Sequence, residues 1–208
     1  TRLQQAARLL DAEGLAFANL PDIDVQTLAG GFATATHGTG RELTAIHDYI
    51  RGFEMVTPSG EVLTVNSETN SHLLQAGKVS LGALGIMTKY DLQVEPMFNL
   101  HRRVKLAKTP DILDQYLQLS QTHRNFEAMF FPGTGHGATF THDKHDGPLS
   151  GPVPNEDDTF LQDLKQLRDM LGWSPWLRRK LFSLSIDPEA GEDVTDAGWK
   201  LLSTSRND

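Results

Sequence analysis

The run Thr27-Leu-Ala-Gly-Gly-Phe-Ala-Thr-Ala-Thr-His-Gly-Thr-Gly40 constrains this chain more than any other segment. Gly30, Gly31, Gly38 and Gly40 remove side-chain bulk, so another group can approach the backbone closely. Thr27, Thr34, Thr36 and Thr39 each offer a hydroxyl donor between backbone N–H groups. Thr27 stands where a helix N-cap is expected, just before Leu28-Ala29. A short helix starting there aims its positive end and free N–H groups at an anion, above all a phosphate. A glycine-rich turn between strands accounts for the same residues, and the segment alone leaves both readings open.

Composition removes several classes. The chain has 208 residues, enough for one large or two small domains, and 38% hydrophobic residues suffice for a globular core. A formal net charge of -8 disfavours a protein that tracks nucleic-acid phosphates. The absence of cysteine excludes disulfides, thiolate metal sites and a cysteine nucleophile. No apolar run approaches the length of a membrane span, and the N-terminal stretch lacks the apolar core of a signal peptide. The expected location is therefore cytoplasmic, with peripheral membrane association left open.

Leu3, Ala6, Ala7, Leu9 and Leu10 recur at helical spacing, and Gly14 is a suitable stop. Leu15 to Leu20 reads as a strand running into Pro21. Residues 46–57 alternate as a strand, Pro58-Ser-Gly60 turns the chain, and residues 61–65 return beside it. A short helix is expected from Glu68 to Gln75 with Ser67 as N-cap, followed by a strand from Ile86 to Val94. These mostly antiparallel strands with a few helices make an α+β pattern. Pro96 marks the boundary, giving one domain over 1–96 and a second over 97–208.

In the second part, residues 100–106 read as a strand. Pro110 to Thr122 reads as a helix with Ile112, Leu113, Tyr116, Leu117 and Leu119 inward. Strands are expected over 126–131 and 138–141, around the turn Pro132-Gly-Thr-Gly135. An exposed loop spans 147–158, and Phe160, Leu161, Leu164, Leu167 and Leu171 mark a further helix. Trp173, Trp176 and Phe182 suit a core or a partner-facing surface better than a substrate pocket.

Two histidine features bear on chemistry. His37 stands inside the small-residue loop, where an imidazole could bond a phosphate or merely pin the loop to a neighbouring carbonyl. His136, His142, Asp143, His145 and Asp146 include a His-x-x-His pair that could share a metal. No third ligand has a spacing that fixes geometry, so a solvated loop is expected and no metal site. No Gly-x-Ser-x-Gly elbow or phosphate-binding Gly-x-x-x-x-Gly-Lys-Ser/Thr run is present.

Asn19-Leu-Pro-Asp-Ile23 followed by Ala29-Gly-Gly-Phe-Ala-Thr-Ala-Thr-His-Gly-Thr-Gly40 resembles the pyrophosphate-contacting segment of flavoprotein oxidases with the vanillyl-alcohol-oxidase (PCMH-type) fold. The closest branch is that of the sugar-lactone and alditol oxidases, which usually carries Gly-Thr-Gly-Thr-His-Gly where this chain has Ala33-Thr-Ala-Thr-His-Gly38. Val56-Thr-Pro-Ser-Gly-Glu-Val-Leu63 and Gly82-Ala-Leu-Gly-Ile-Met-Thr88, preceded by Leu73-Leu-Gln-Ala-Gly77, are similar to two further family segments in the same order.

The resemblance implies the second part of a PCMH-type FAD-binding domain followed by the start of an α+β substrate domain. It also implies a middle fragment of a longer enzyme, itself inactive. FAD is the implied cofactor, contacted through Asp22, Thr27, Gly30, Thr34, Ala35, Thr36, His37, Gly85 and Ile86. The implied reaction moves a hydride from a CH–OH carbon of a sugar lactone or polyol to the flavin, with molecular oxygen or another acceptor reoxidising it. Catalytic residues are expected outside this sequence. A non-catalytic phosphate- or nucleotide-binding module sharing the loop is the alternative.

Overall fold

In the computed structural model the described residues are 1–150, 174, 176, 177, 180 and 191–203. They fall into two compact units, Thr1–Phe98 together with Ala197–Asp208, and Asn99–Asp196. The first boundary lies beside Pro96, and the chain re-enters the first unit at Ala197.

In the first unit, helix α1 (Leu3–Ala12) buries Leu3 and Ala7, one helical turn apart, and leaves Leu9 exposed. Gly14 ends it at φ +70, a conformation glycine adopts without cost. Strand β1 is only Leu15–Ala16, shorter than the expected run to Leu20. Beyond it the Asn19 side chain binds the adjacent Leu20 N–H at 3.1 Å, and Pro21 has no N–H to give a ladder. Residues 17–21 are nevertheless buried.

Helix α2 (Leu28–Ala33) follows, then an extended stretch and a 3₁₀ turn at Ile46–Tyr49. That turn occupies the start of the expected strand, so β2 begins at Ile50 and runs to Val56. It pairs antiparallel with β3 (Val62–Asn66) and β4 (Ile86–Leu92), giving the order β3-β2-β4. Phe53, Met55 and Val65 enter the core from this sheet. Gly60, at φ +84, closes the expected turn between β2 and β3.

The predicted helix at 68–75 forms later than expected, as a 3₁₀ turn at Ser71–Leu73 and α3 at Leu74–Lys78. Ser67 does not cap it. Asn66 Oδ1 takes the N–H groups of Glu68 and Thr69 at 2.9 and 2.8 Å, which folds those residues into a turn. Strand β5 (Glu95–Pro96) pairs with β1.

The second unit is an antiparallel sheet of order β7-β8-β6-β9, with β6 at Asn99–Lys108, β7 at Asn125–Phe131, β8 at His136–His145 and β9 at Gly191–Ala197. Helix α4 (Thr109–Thr122) packs on one face, with Pro110 in its first turn. Its buried anchor is Ile112, whereas Leu113, Tyr116 and Leu117 are exposed, against the expected inward set. The expected helix at 160–171, Trp173 and Phe182 lie outside the described residues, and Trp176 is exposed.

The chain re-enters the first unit through helix α5 (Gly198–Leu202). The Gly198 N–H binds the Phe98 carbonyl at 2.9 Å, and the buried Ser203 hydroxyl donates to the Pro21 carbonyl at 2.7 Å. Among the described residues, no helix is long and apolar enough to cross a membrane.

Candidate cofactor cradle

Thr27 caps α2 as its sequence position suggests: Oγ1 accepts the Gly30 N–H at 3.1 Å. A methyl on Gly30 would stand 2.9 Å from that oxygen, so glycine here protects the cap. The N–H groups of Leu28 and Gly31 are also satisfied within the chain, by the carbonyls of Thr1 and Thr27. Three of the first four N–H groups of the six-residue helix are therefore occupied within the chain, so its N-terminus is less open than the sequence suggested. The hydroxyls are committed too. Thr34 donates to the Gly30 carbonyl at 2.9 Å and Thr36 to Gln26 Oε1 at 3.0 Å.

The helix ends in a Schellman arrangement. Thr36 N–H reaches the Gly31 carbonyl at 2.9 Å and Ala35 N–H the Phe32 carbonyl at 3.1 Å. Ala35 occupies the left-handed position at φ 58, which glycine usually fills. Its methyl thus costs backbone energy.

Past this turn the donors are open. The backbone N–H groups of His37, Gly38 and Gly40 have no partner among the described residues. His37 is exposed, and its Nδ1 lies 2.9 Å from the Gly38 carbonyl, which as an acceptor requires Nδ1 to carry the proton. The neutral ring then offers Nε2 as an acceptor, so His37 donates outward only when protonated.

Asn19 supports this strip from behind, and sequence reasoning missed it. Its Nδ2 donates to the Thr39 carbonyl at 3.0 Å. A methyl on Gly38 would overlap the Leu20 carbonyl and stand 2.7 Å from Asn19 Oδ1. The close approach that Gly38 permits is therefore made by the protein's own chain. The signal was the position of Asn19 within the matched Asn19-Leu-Pro segment. Asp22, on the same segment, is exposed.

The distant glycine segment comes to the same place. Leu81 N–H binds the Ala33 carbonyl at 3.0 Å, joining the 80–86 turn to the end of α2. Gly85, at φ 154, lies against the Val56 carbonyl with no room for a methyl, and Ile86 is exposed at the start of β4. Phe32 meets Tyr90 edge to face at 5.0 Å, which seats α2 on β4. Burial there raises the Tyr90 phenol above its ordinary pKa. The donor chemistry fits a bound diphosphate: an extended strip of unpartnered N–H groups, beside a capped helix turn and a second glycine turn.

The other histidine cluster is not the expected loop. It lies on β8, where side chains alternate, so His142 and His145 project to opposite faces and cannot share a metal. His142 is buried. Asp143 instead accepts His123 Nδ1 at 2.7 Å and the Arg124 N–H at 3.1 Å. No group of three or more His, Asp or Glu residues is placed to hold a metal among the described residues.

Residues 1–66 match the family model described as FAD binding domain. Over 199 residues, 92% of its length, the chain is 38% identical to an L-gulono-1,4-lactone dehydrogenase from Mycobacterium tuberculosis, covering 45% of that protein. It is 28% identical over 160 residues, 77% of its length, to a D-arabinono-1,4-lactone oxidase from Yarrowia lipolytica, covering 30% of it. Its structure is similar to that of a cholesterol oxidase from Brevibacterium sterolicum, with a TM-score of 0.65 and 15% identity. That likeness covers 98% of this chain and 44% of the oxidase. The chain spans less than half the length of the curated relatives it matches.

The fold is of the PCMH-type FAD-binding kind, and the match of residues 1–66 to an FAD-binding domain gives FAD as the cofactor. In sequence it is similar to sugar-lactone oxidases and dehydrogenases.

Proposed function

We propose that the protein carrying this chain is an FAD-dependent oxidoreductase that oxidises a CH–OH group of a sugar lactone. The observation that carries the reading is the strip of open N–H groups at His37, Gly38 and Gly40, facing no protein acceptor. Support for the substrate class comes from the lactone named in each of the two relatives. When bound, FAD supplies the hydride acceptor.

On this reading the first unit belongs to the FAD-binding domain and the second to the substrate domain. Thr27 and Gly30 hold the shape of the helix turn. Ala35, Thr36 and His37 carry the backbone past the phosphates, and Asp22 lies beside them on the segment that Asn19 anchors. Gly85 and Ile86 contribute backbone from the second turn. Turnover belongs to the whole protein, with oxygen or another electron acceptor. None of these residues is assigned to the hydride step.

The test is FAD affinity and turnover measured on one variant of the whole protein. His37→Ala is expected to weaken FAD by about 1–3 kcal/mol, the range for one bond to a charged group. Turnover at full flavin occupancy is expected to stay the same. Unchanged affinity with turnover reduced about 100-fold, the scale for a lost general base, would overturn the assignment.

A further inference from the structure

Helix α5 brings a buried hydroxyl to the back of the cradle. Its first residue is fixed by the Gly198 N–H bond to the Phe98 carbonyl, and Leu201 and Leu202 are buried. Ser203 follows as the C-cap and is 0% exposed. A hydroxyl enclosed so completely is costly unless it bonds, and this one donates to the Pro21 carbonyl at 2.7 Å.

That carbonyl is one peptide away from the open N–H strip. The Leu20–Pro21 peptide is planar and the Pro21 ring locks φ, so Pro21 ψ is the only soft torsion between the Leu20 and Pro21 carbonyls. Ser203 fixes the outer carbonyl, and with it the setting of the inner one. Gly38 lies against that inner carbonyl: a Cβ on it would stand 2.3 Å from the Leu20 oxygen. The adjoining Asn19 Nδ2 holds the Thr39 carbonyl at 3.0 Å. Residues 19–21 therefore act as a strut that meets the strip at Gly38 and Thr39 and is tied down at Pro21. The open N–H groups of His37, Gly38 and Gly40 lie on and beside the residues it supports.

We propose that Ser203 is a positioning residue for the cofactor: its hydroxyl sets the 19–21 strut, which holds the open N–H groups in the arrangement that receives the FAD diphosphate. The role rests on the reading of the strip as the FAD site. It acts on binding and not on the hydride step, so cofactor affinity carries the readout. Ser203 also ends the stretch by which the chain re-enters the first unit, so FAD affinity depends on α5 being docked.

The test measures FAD affinity of the deflavinated whole protein, by flavin fluorescence, for wild type, Ser203→Ala, Asn19→Ala and the double variant. Ser203→Ala removes a single oxygen and is expected to weaken FAD at least about 5-fold. Both residues act on one strut, so the double variant should lose less than the product of the single losses. Val65→Ala removes core volume on β3 and should lower the midpoint in urea. Its FAD affinity should stay within about 2-fold of wild type, which separates positioning from a general loss of stability. If Ser203→Ala does not fold, Ser203→Cys puts a weaker donor in the same place and should weaken FAD at least about 2-fold. Wild-type affinity in the Ser203 variant, fully multiplicative losses in the double variant, or an equal loss in Val65→Ala would each overturn the proposal. A wild-type protein that binds no FAD would overturn the reading of the strip, and this role with it.

Discussion

Asn19 ties two segments of the cradle together, donating from Nδ2 to the Thr39 carbonyl at 3.0 Å while its own side chain is 1% exposed. Removing it takes one donor from that carbonyl and the side-chain acceptor from the Leu20 N–H. Asn19→Ala should therefore destabilise the chain by about 1–3 kcal/mol, read as a lower midpoint in urea unfolding. A midpoint unchanged from wild type would show that the clamp carries no stability.

Ala35 sits in the left-handed region, which costs an L-residue about 1–2 kcal/mol. Ala35→Gly relieves that strain and loses part of the gain to the freer unfolded chain, about 0.4–1 kcal/mol. A net stabilisation of about 0.5–1 kcal/mol is expected from the same unfolding assay, where a typical alanine-to-glycine change destabilises.

Thr27→Ala should cost about 1 kcal/mol by removing the α2 cap. Gly30→Val strikes the same oxygen from the other side, since even its Cβ would stand 2.9 Å from Thr27 Oγ1. The two changes damage one interaction, so the double variant should lose less stability than the sum of the singles. In the whole protein, Gly30→Val should also lower bound FAD, measured by absorbance per chain. Full additivity with normal flavin content would detach the cap from the cofactor.

Asp193 is held below the ordinary carboxylate pKa, first by the hydrogen bond to His101 and further by the positive charge of His101 and Arg103. A depressed folded-state pKa gives a stabilising contribution that is present above the unfolded value and lost as pH falls through the folded one. His101→Ala should move the Asp193 titration, followed by carboxyl NMR, upward toward the ordinary range. An unmoved titration would mean that this bond is absent in solution.

Elements set by local patterns were legible in the sequence. The Pro58-Ser-Gly60 turn and the period-two runs of β2 and β4 needed no knowledge of distant residues. Sites where a side chain competes with the backbone were not. Asn66 captures two amides and delays α3, and Asn19 ends β1 early. The cradle was legible as a glycine- and threonine-rich run, but not in how its donors divide. Periodicity cannot show that Thr34 and Thr36 hydroxyls face inward partners while the plain N–H groups of His37, Gly38 and Gly40 stay open among the described residues. Likewise, His-x-x-His reads as a chelate only until strand alternation separates its rings.

The 2.9 Å bond from Gly198 N to the Phe98 carbonyl has a consequence for the order in which the protein assembles. Everything from Asn99 to Asp196 is an excursion leaving and rejoining the first unit at that bond. While the excursion is unfolded, bringing α5 home means closing a long loop, with an entropic cost that few local contacts offset. Once β6 and β9 lie side by side, the ends are already together and α5 docks almost as a local segment. Completion of the first unit, including the Ser203 bond that backs the cradle segment, is thus timed by folding of the second.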